Sequence, residues 1–400
     1  MALIGANLFE DKNKSRIRIA LLLDKSGSYD RGLIRGMVKF SRFLSGWEFF
    51  LEAPNYTVLD EKNKLVDKMK SWNPDFVVMN DSPLKNEITT WGIPVFVSPS
   101  YKLVPGVINI IADDKKIGNL GAKYFIDKGF KNFAFYGNDH IFWSKYRKTA
   151  FKETVEALKL NFIEIEALLE QEWQNNPGYI IELLKELPKP IAIMACSDEF
   201  GIHIIESLKV AGLRVPQDIA VLGVDNDEFI CDLYYPPMSS IDQNPEATGF
   251  EIAKNIKMIL DDKGFEIKDI VGSDFRIISR LSTEVTAVED AEVKKALHYI
   301  LENAPFRQVS VDDVVAATFL SRRLLEIRFR IMLYRSILDE INRIRIEAVC
   351  NHLISTELPM NEIAYSLGFS SPNSFSSYFK KSKGMTPFEF RNIFHRQAIK

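Results

Sequence analysis

From Arg16 onward the chain alternates short apolar, β-branched runs with stretches of helical period. IRIALLLD (17–24), DFVVMND (75–81), IPVFVSPS (93–100), FAFYGN (133–138), AIMACSD (192–198) and AVLGVDND (220–227) predict strands, each bounded by Gly, Pro, Asp or Asn. Between them Arg31–Leu44, Lys116–Lys128, Tyr146–Leu158 and Phe200–Ala211 have amphipathic helical spacing. Strands that are apolar throughout and separated by helices belong in parallel sheets buried on both faces. The expected fold of residues 16–285 is therefore α/β, with two doubly wound parallel-sheet lobes. Functional groups in such sheets gather just past the carboxyl ends of strands. Asp24, Asp81, Asp198 and Asp225 each close a strand here, and Tyr29–Asp30 follows the first.

After Glu284 the pattern is helical alone. Ala291–Asn303, Val311–Thr318, Ser321–Arg330, Ser336–Ile354, Met360–Leu367, Pro372–Lys381 and Pro387–His395 are the expected helices, with Pro305, Pro359, Pro372 and Pro387 between them or at their starts. The boundary is expected at Val285–Asp290, giving an all-α domain over 286–400. Within it VSVDDVVAATFLSRRLLEIRFR (309–330) parallels LPMNEIAYSLGFSSPNSFSSYFKK (358–381). Both copies place acidic residues ahead of an apolar pair, then a turn, a Ser and a helix ending on Phe329 or Phe379. Two short helices around a tight turn, occurring twice, make two helix-turn-helix units.

Composition narrows the classes. A 400-residue chain, 46% hydrophobic and 26% charged, suits two or three globular domains. No window reaches a membrane span, and Met1–Asp11 lacks the basic start and apolar stretch of a signal peptide, so a cytoplasmic location with no membrane partner is expected. Cys196, Cys231 and Cys350 have no metal-ligand spacing around them. They are expected to be buried reduced thiols, and neither cofactor nor metal is expected. The net charge of −3 conceals an asymmetry: residues 291–400 carry 16 Lys and Arg against 11 Asp and Glu, and the rest carries 35 against 43. A basic helical tail on an acidic body fits a phosphate-binding module attached to something that does not touch DNA.

In the second repeat Gly368 occupies the turn, and Ser370–Ser371 with Pro372 start a recognition helix. Phe375, Tyr378 and Phe379 form its core stripe, leaving Asn373, Ser374, Ser376, Ser377 and Lys380 outward. Small polar side chains let a helix approach base edges, while Lys380 and Lys381 reach phosphate. In the first repeat Ser321 is the expected cap of a helix with Arg322, Arg323, Glu326 and Arg330 outside and Leu324, Leu325 and Phe329 inside. Arg322 and Arg323 are candidates for bidentate contact with guanine, or for phosphate.

Residues 291–395 resemble the AraC-type DNA-binding domain. The resemblance is carried by Ile363, Ala364, Gly368, Phe369, Phe375, Phe379, Lys380 and Lys381, then by Gly384, Thr386, Pro387, Phe390 and Arg391. One departure is Phe319 at the first turn, where relatives usually have Gly. Residues 16–285 resemble the ligand-binding domain shared by periplasmic binding proteins and LacI-type regulators. The combination is similar to the bacterial xylose-operon activators through SYDRGLIRGM (28–37), NFAFYG (132–137), WSKYRKTAF (143–151), GVDNDE (223–228) and RIISRLSTE (276–284). Carried over by position, the resemblance makes Asp30, Trp143, Arg147, Asp198 and Asp225 pocket candidates, with Tyr29, Asp81, Asp113 and Ser197 behind them. Carboxylates and guanidinium groups bind adjacent sugar hydroxyls, and an aromatic ring covers a C–H face. A strand-end Asp serves equally well as a helix cap, and Trp143 as ordinary packing.

The resemblance implies a sugar-responsive transcription factor whose partners are double-stranded DNA, a pentose effector with D-xylose first, a second copy of itself and RNA polymerase. Another aldose such as arabinose, or repression in place of activation, are the nearer alternatives. An enzyme on the same scaffold is more remote, because the chain has no G-x-G-x-x-G, P-loop or G-x-S-x-G. Its five histidines also stand apart from the strand-end carboxylates.

Overall fold

The computed structural model describes residues 16–24, 26–44, 46–51, 59–99, 102–167, 178–262, 268–284, 288, 290–356 and 358–392. The chain divides into two compact units, residues 1–123 with 131–285, and residues 124–130 with 286–400. Of the expected boundary segment 285–290, residues 285–287 and 289 lie outside the described residues, as do Ser100 at the end of one expected strand and residues 393–395 of the last expected helix.

In the first unit β1 (Ile17–Leu22), β2 (Trp47–Leu51), β3 (Phe76–Asn80), β4 (Val95–Ser98) and β5 (Ile108–Ala112) alternate with α1 (Ser28–Ser41), α2 (Leu59–Trp72) and α3 (Lys85–Ile88). After α4 (Asp114–Asp127) the chain continues through β6 (Asn132–Gly137), α5 (Phe142–Ala157), β7 (Asn161–Glu166), α6 (Tyr179–Glu186), β8 (Ile191–Ala195), α7 (Asp198–Ala211), β9 (Ile219–Val224), α8 (Glu228–Leu233) and β10 (Ser239–Asp242). Then come α9 (Pro245–Asp261), β11 (Ile270–Gly272) and β12 (Arg276–Ile278). The strands form two six-stranded sheets, in the orders β11-β5-β4-β3-β1-β2 and β12-β10-β9-β8-β6-β7. The first is parallel throughout, and the second is parallel except for β12, which runs antiparallel to β10. The chain leaves the first sheet after β5, returns to it at β11 and crosses again to β12.

Central strands such as Ile191–Ala195 and Ile219–Val224 are buried at every position, as parallel strands covered by helices on both faces must be. Several of the described strands have other textures. Trp47–Leu51 and Asn161–Glu166 are half-exposed edges. Ser239–Asp242 is polar yet fully buried. Its Ser239 hydroxyl lies 2.6 Å from Thr283 Oγ1, and the Ser240 hydroxyl donates to Asp198 Oδ1 at 2.5 Å. Arg276–Ile278 is a half-exposed edge of three residues. Helices α1 and α9 pack backbone to backbone, because a Cβ on Gly36 would stand 2.0 Å from Glu246 O and one on Gly249 2.1 Å from Leu33 O.

The second unit contains α10 (Ala291–Asn303), α11 (Val311–Ala316), α12 (Arg322–Leu333), α13 (Ile337–Ser355), α14 (Met360–Ser366) and α15 (Pro372–Lys383), with residues 387–392 also helical. Two hydrophobic cores stand out among its described residues. One gathers Val293, Leu297, Ile300, Val314, Leu325, Phe329 and Leu333, and the other Ile363, Leu367, Phe375 and Phe379. Helix α13 belongs to both, giving Ile337, Ile341 and Ile344 to the first and Val349 and Leu353 to the second. Where the two cores meet, buried Arg345 donates to Ala304 O (3.1 Å), Arg307 O (2.5 Å) and Leu367 O (3.2 Å), with its guanidinium 4.3 Å from the Phe369 ring. Elsewhere in this unit Arg335 bonds Asp127 Oδ1 at 2.6 Å and the buried Glu340 at 2.5 Å. The two arginines beside Glu340, Arg335 and Arg343, hold its carboxyl below the usual range despite its burial.

Candidate functional site

A cavity of about 170 Å³ opens where the carboxyl ends of the two sheets of the first unit face each other. One side is lined by Tyr29 at the start of α1, Ser98 and Pro99 after β4, Ile110, Ile111 and Ala112 of β5, and Asp114 opening α4. The other side is lined by Phe142, Trp143 and Arg147 of α5, Asp225 after β9 and Gln243 after β10. The volume is below the roughly 300–1,000 Å³ of drug-sized sites, so the cavity suits a single small ring.

Its polar groups are cross-braced. Arg147, buried on α5, donates Nε to Asp114 Oδ1 at 2.8 Å and a terminal nitrogen to Cys196 O at 2.7 Å. Its guanidinium lies 4.7 Å from the centre of the Trp143 ring, one helical turn earlier. Burial works against the Arg147 charge, but Asp114 and Asp225 more than offset it and raise its pKa. Burial raises Asp114 above the usual carboxylate range against the pull of Arg147, and raises Asp225 to about 6. Burial also raises the Tyr29 phenol. Asp225 has φ of +111°, a conformation disfavoured for a residue with a Cβ, and its N–H bonds Ile241 O at 2.9 Å. Gln243 donates to Asp225 Oδ1, while its own Oε1 is buried with no hydrogen-bond partner among the described residues. The cavity thus offers two carboxylates, one guanidinium, an amide acceptor and aromatic faces, a set matched to a polyhydroxylated ring.

The structure brings Tyr29, Trp143, Arg147 and Asp225 together on this wall. Asp30, Asp81, Asp113, Ser197 and Asp198, expected with them from the sequence, lie off it, and the carboxylates among them are committed elsewhere. Asp30 Oδ2 accepts from the Asp24 N–H (2.7 Å) and Asn80 (2.5 Å), fixing the turn that carries Tyr29. Asp81 pairs with Lys85, and Asp113 accepts from the Lys116 N–H at 3.0 Å in the first turn of α4. Ser197 is the N-cap residue of α7 and makes no side-chain cap bond. Asp198 accepts from the Ser240 hydroxyl and the Asp227 N–H, 2.5 and 2.7 Å away, tying together the ends of three strands. Burial, with Asp225 nearby, raises its pKa well above the usual range. Asp114, Gln243 and Phe142 were missed. Asp114 is the neighbour of a residue singled out, Phe142 precedes Trp143 on the same helix, and Gln243 follows a strand without an apolar signature.

In the second unit, Ser371 caps α15 through a reciprocal pair with Ser374, whose hydroxyl donates to Ser371 O at 2.7 Å. Ser374 is therefore half-buried and engaged, while Asn373, Ser377, Lys380 and Lys381 are exposed and Ser376 is half-exposed. Phe375 and Phe379 are fully buried, and Tyr378 is half-buried. On α12 the inward residues are Leu325, Phe329 and Leu333, and Leu324 lies outside. Ser321 precedes α12 without a side-chain cap bond. Exposed Arg322 is held by Asp312 (2.9 Å) and Glu326 (3.1 Å), whereas Arg323 is exposed and has no ion-pair partner among the described residues. The two turns differ. Gly368 has φ of +69°, and a Cβ there would meet Phe306 O at 2.4 Å. Phe319 stays out of the left-handed region, its N–H bonding Glu292 at 2.7 Å and its exposed ring lying 4.5 Å from Lys295 Nζ. The first turn therefore has no need of glycine.

Residues 122–283 match the periplasmic binding protein-like domain family, and residues 314–393 the helix-turn-helix domain family. The xylose operon regulatory protein of Escherichia coli is 29% identical over 390 residues, covering 94% of this chain and 97% of that protein. Its counterpart from Haemophilus influenzae is also 29% identical, with coverage of 94% and 98%. A solved xylose-binding transcription activator aligns with a TM-score of 0.60 at 28% identity, over 94% of this chain and 98% of its own. A LacI-type regulator from Alkaliphilus metalliredigens, solved with D-xylulofuranose, shares the fold at a TM-score of 0.54 and 19% identity over 67% of this chain and 99% of its own. Among the described residues no helix is long and apolar enough to cross a membrane.

Proposed function

We propose that this chain, which belongs with the sugar-responsive transcriptional regulators that join a periplasmic-binding-protein-like domain to a helix-turn-helix domain and is no enzyme, takes D-xylose as its effector and activates genes of sugar use. The observation that carries the reading is the 170 Å³ cavity, in which Asp114, Arg147, Asp225 and Gln243 converge on a space sized for one sugar ring, in a chain similar over 94% of its length to regulators named for xylose. Adjacent pyranose hydroxyls donate to the two carboxylates and accept from Arg147, and Trp143 or Phe142 covers the C–H face. The Gln243 Oε1 and the Tyr29 hydroxyl complete the hydrogen bonding. Sugar binding then draws the two sheets together and changes how a homodimer presents its helix-turn-helix units to DNA and RNA polymerase.

The test is a calorimetric screen of pentoses and hexoses against the full chain, followed by transcription with purified RNA polymerase. D-xylose is expected to bind most tightly and to raise transcript levels. Tighter binding of L-arabinose, D-ribose or a hexose would reassign the effector. A fall in transcript on adding the bound sugar would make the chain a repressor.

A further inference from the structure

Helix α12 buries Leu325, Phe329 and Leu333 at steps of four, so the opposite side of the helix is the one it presents outward. That side carries Arg323 in the first turn and Ile327 in the second, with Leu324, Arg330 and Ile331 alongside. Ile327 is 48% exposed and takes no part in the hydrophobic core of its helix-turn-helix unit. Leu324 and Ile331, 39% and 61% exposed, flank it on the same face, so an apolar strip on the outward side of a recognition helix requires a reason.

The charges around it select the class of partner. Arg323 and Arg330 are exposed and have no ion-pair partner among the described residues, while Arg322 is already neutralised by Asp312 and Glu326. An apolar spot beside the Arg323 guanidinium, with Arg330 next to it acting on Asp339, is complementary to a polyanion that offers an apolar group between its charges. The DNA major groove does this in one way, through the thymine C5-methyl, the apolar mark among the donors and acceptors of the base edges. The N-terminal part of a recognition helix is what enters the groove. Ile327, in the second turn, falls within that part, and Ile331, 61% exposed in the third, falls beyond it.

We infer that Ile327 reads a thymine methyl group, so that the first helix-turn-helix unit specifies sequence by apolar contact as well as through Arg323. The inference rests on the DNA-binding reading of the chain. Its test starts from the duplex returned by binding-site selection with the full chain, and measures affinity for that duplex with each thymine replaced in turn by deoxyuridine, which removes the methyl alone. At one or two positions in one helical turn of the site, deoxyuridine is expected to weaken wild-type binding about fourfold, equivalent to ~0.8 kcal/mol for one buried carbon. Ile327→Ala should bind the thymine duplex more weakly and lose the discrimination at those positions alone. Because Ile327 lies outside the core, this replacement should leave the unfolding temperature unchanged. Indifference of the wild-type chain to deoxyuridine everywhere would overturn the inference, as would an undiminished thymine preference in Ile327→Ala. A change of oligomeric state with DNA preference intact would assign the spot to a second copy of the chain. If the chain selects no sequence at all, the DNA-binding reading falls with it, whereas a selected site that tolerates deoxyuridine removes only Ile327.

Discussion

Asp225→Asn separates the charge of the cavity from its shape. The replacement is close to isosteric and keeps an oxygen for Gln243, so the change is the loss of one ionised acceptor. A sugar hydroxyl donating to a carboxylate is worth about 1.5–3 kcal/mol, and D-xylose affinity should fall by roughly one to two decades. The pH profile carries more information. Burial raises Asp225 to about 6, so in the sugar-free protein the acceptor is ionised at pH 7.5 and mostly protonated at pH 5. Wild-type affinity should be level above about pH 7 and decline toward tenfold per pH unit below about 5.5. Asp225→Asn should bind weakly with a shallower profile, and what slope survives belongs to Asp114, also raised by burial. Stability has the opposite sign. A carboxyl raised from 3.8 to about 6 binds its proton more readily folded than unfolded, so its contribution to folding grows as pH falls through 6 toward 4. Calorimetry with D-xylose from pH 5 to 8, beside thermal unfolding of the sugar-free protein, reads both trends. Equal affinities in the two proteins, or the same slope in both, would refute Asp225 as the ionised acceptor.

Asp198→Ala should chiefly lower the unfolding temperature, because it leaves the buried Asp227 N–H and Ser240 hydroxyl without their acceptor at about 1–3 kcal/mol each, and sugar affinity per folded molecule should change less than in Asp225→Asn. Gly368→Ala places a Cβ against Phe306 O at positive φ and should destabilise the second unit by more than about 1 kcal/mol in thermal unfolding, whereas Phe319→Gly should gain nothing. Arg323→Ala should relax preference at particular base pairs by about 1–3 kcal/mol in a binding-site selection, and Arg322→Ala less, since Asp312 and Glu326 already occupy its guanidinium. Lys380→Ala should weaken all duplexes alike and flatten the salt dependence by about one unit, measured as affinity against salt concentration.

Where local chemistry and tertiary role coincide, the sequence was readable. Ser371, Pro372, Phe375 and Phe379 mark the start and inner face of α15 because capping, φ restriction and helical spacing all act within a few residues. The apolar strands β1, β3, β4, β6, β8 and β9 were legible for the same reason, whereas β5 was passed over although it is apolar too. Ser239–Asp242 was not, because a strand of hydroxyls is stable in the interior through partners such as Asp198, Ser282 and Thr283, all more than 40 positions from the serines they bond. With that strand unseen, Gln243 behind it had no signal. The strand-end aspartates were found as a class and then divided by structure. Asp225 turns into the cavity, whereas Asp24, Asp81 and Asp198 satisfy nearby donors, and sequence alone holds nothing that distinguishes the two roles. Leu324 was placed inside α12 although it lies outside, since a run of two leucines leaves the phase of the stripe ambiguous.

Arg345 has a consequence for the operator itself. By spending one guanidinium on Ala304, Arg307 and Leu367, it clamps α10 and α14 to the same stretch of α13, whose side chains already enter both cores. A joint so braced cannot swivel, so the rotational phase between the two recognition helices is set by the protein and must be matched by the duplex. One base pair inserted between the two half-elements turns one groove by roughly 35° about the helix axis, a tenth of a turn. Natural operators for this chain should therefore vary in base identity between their half-elements while keeping the distance between them constant to the base pair. Any accommodation of a wrong spacing would have to come from bending or twisting the DNA, at the elastic cost of its own sequence.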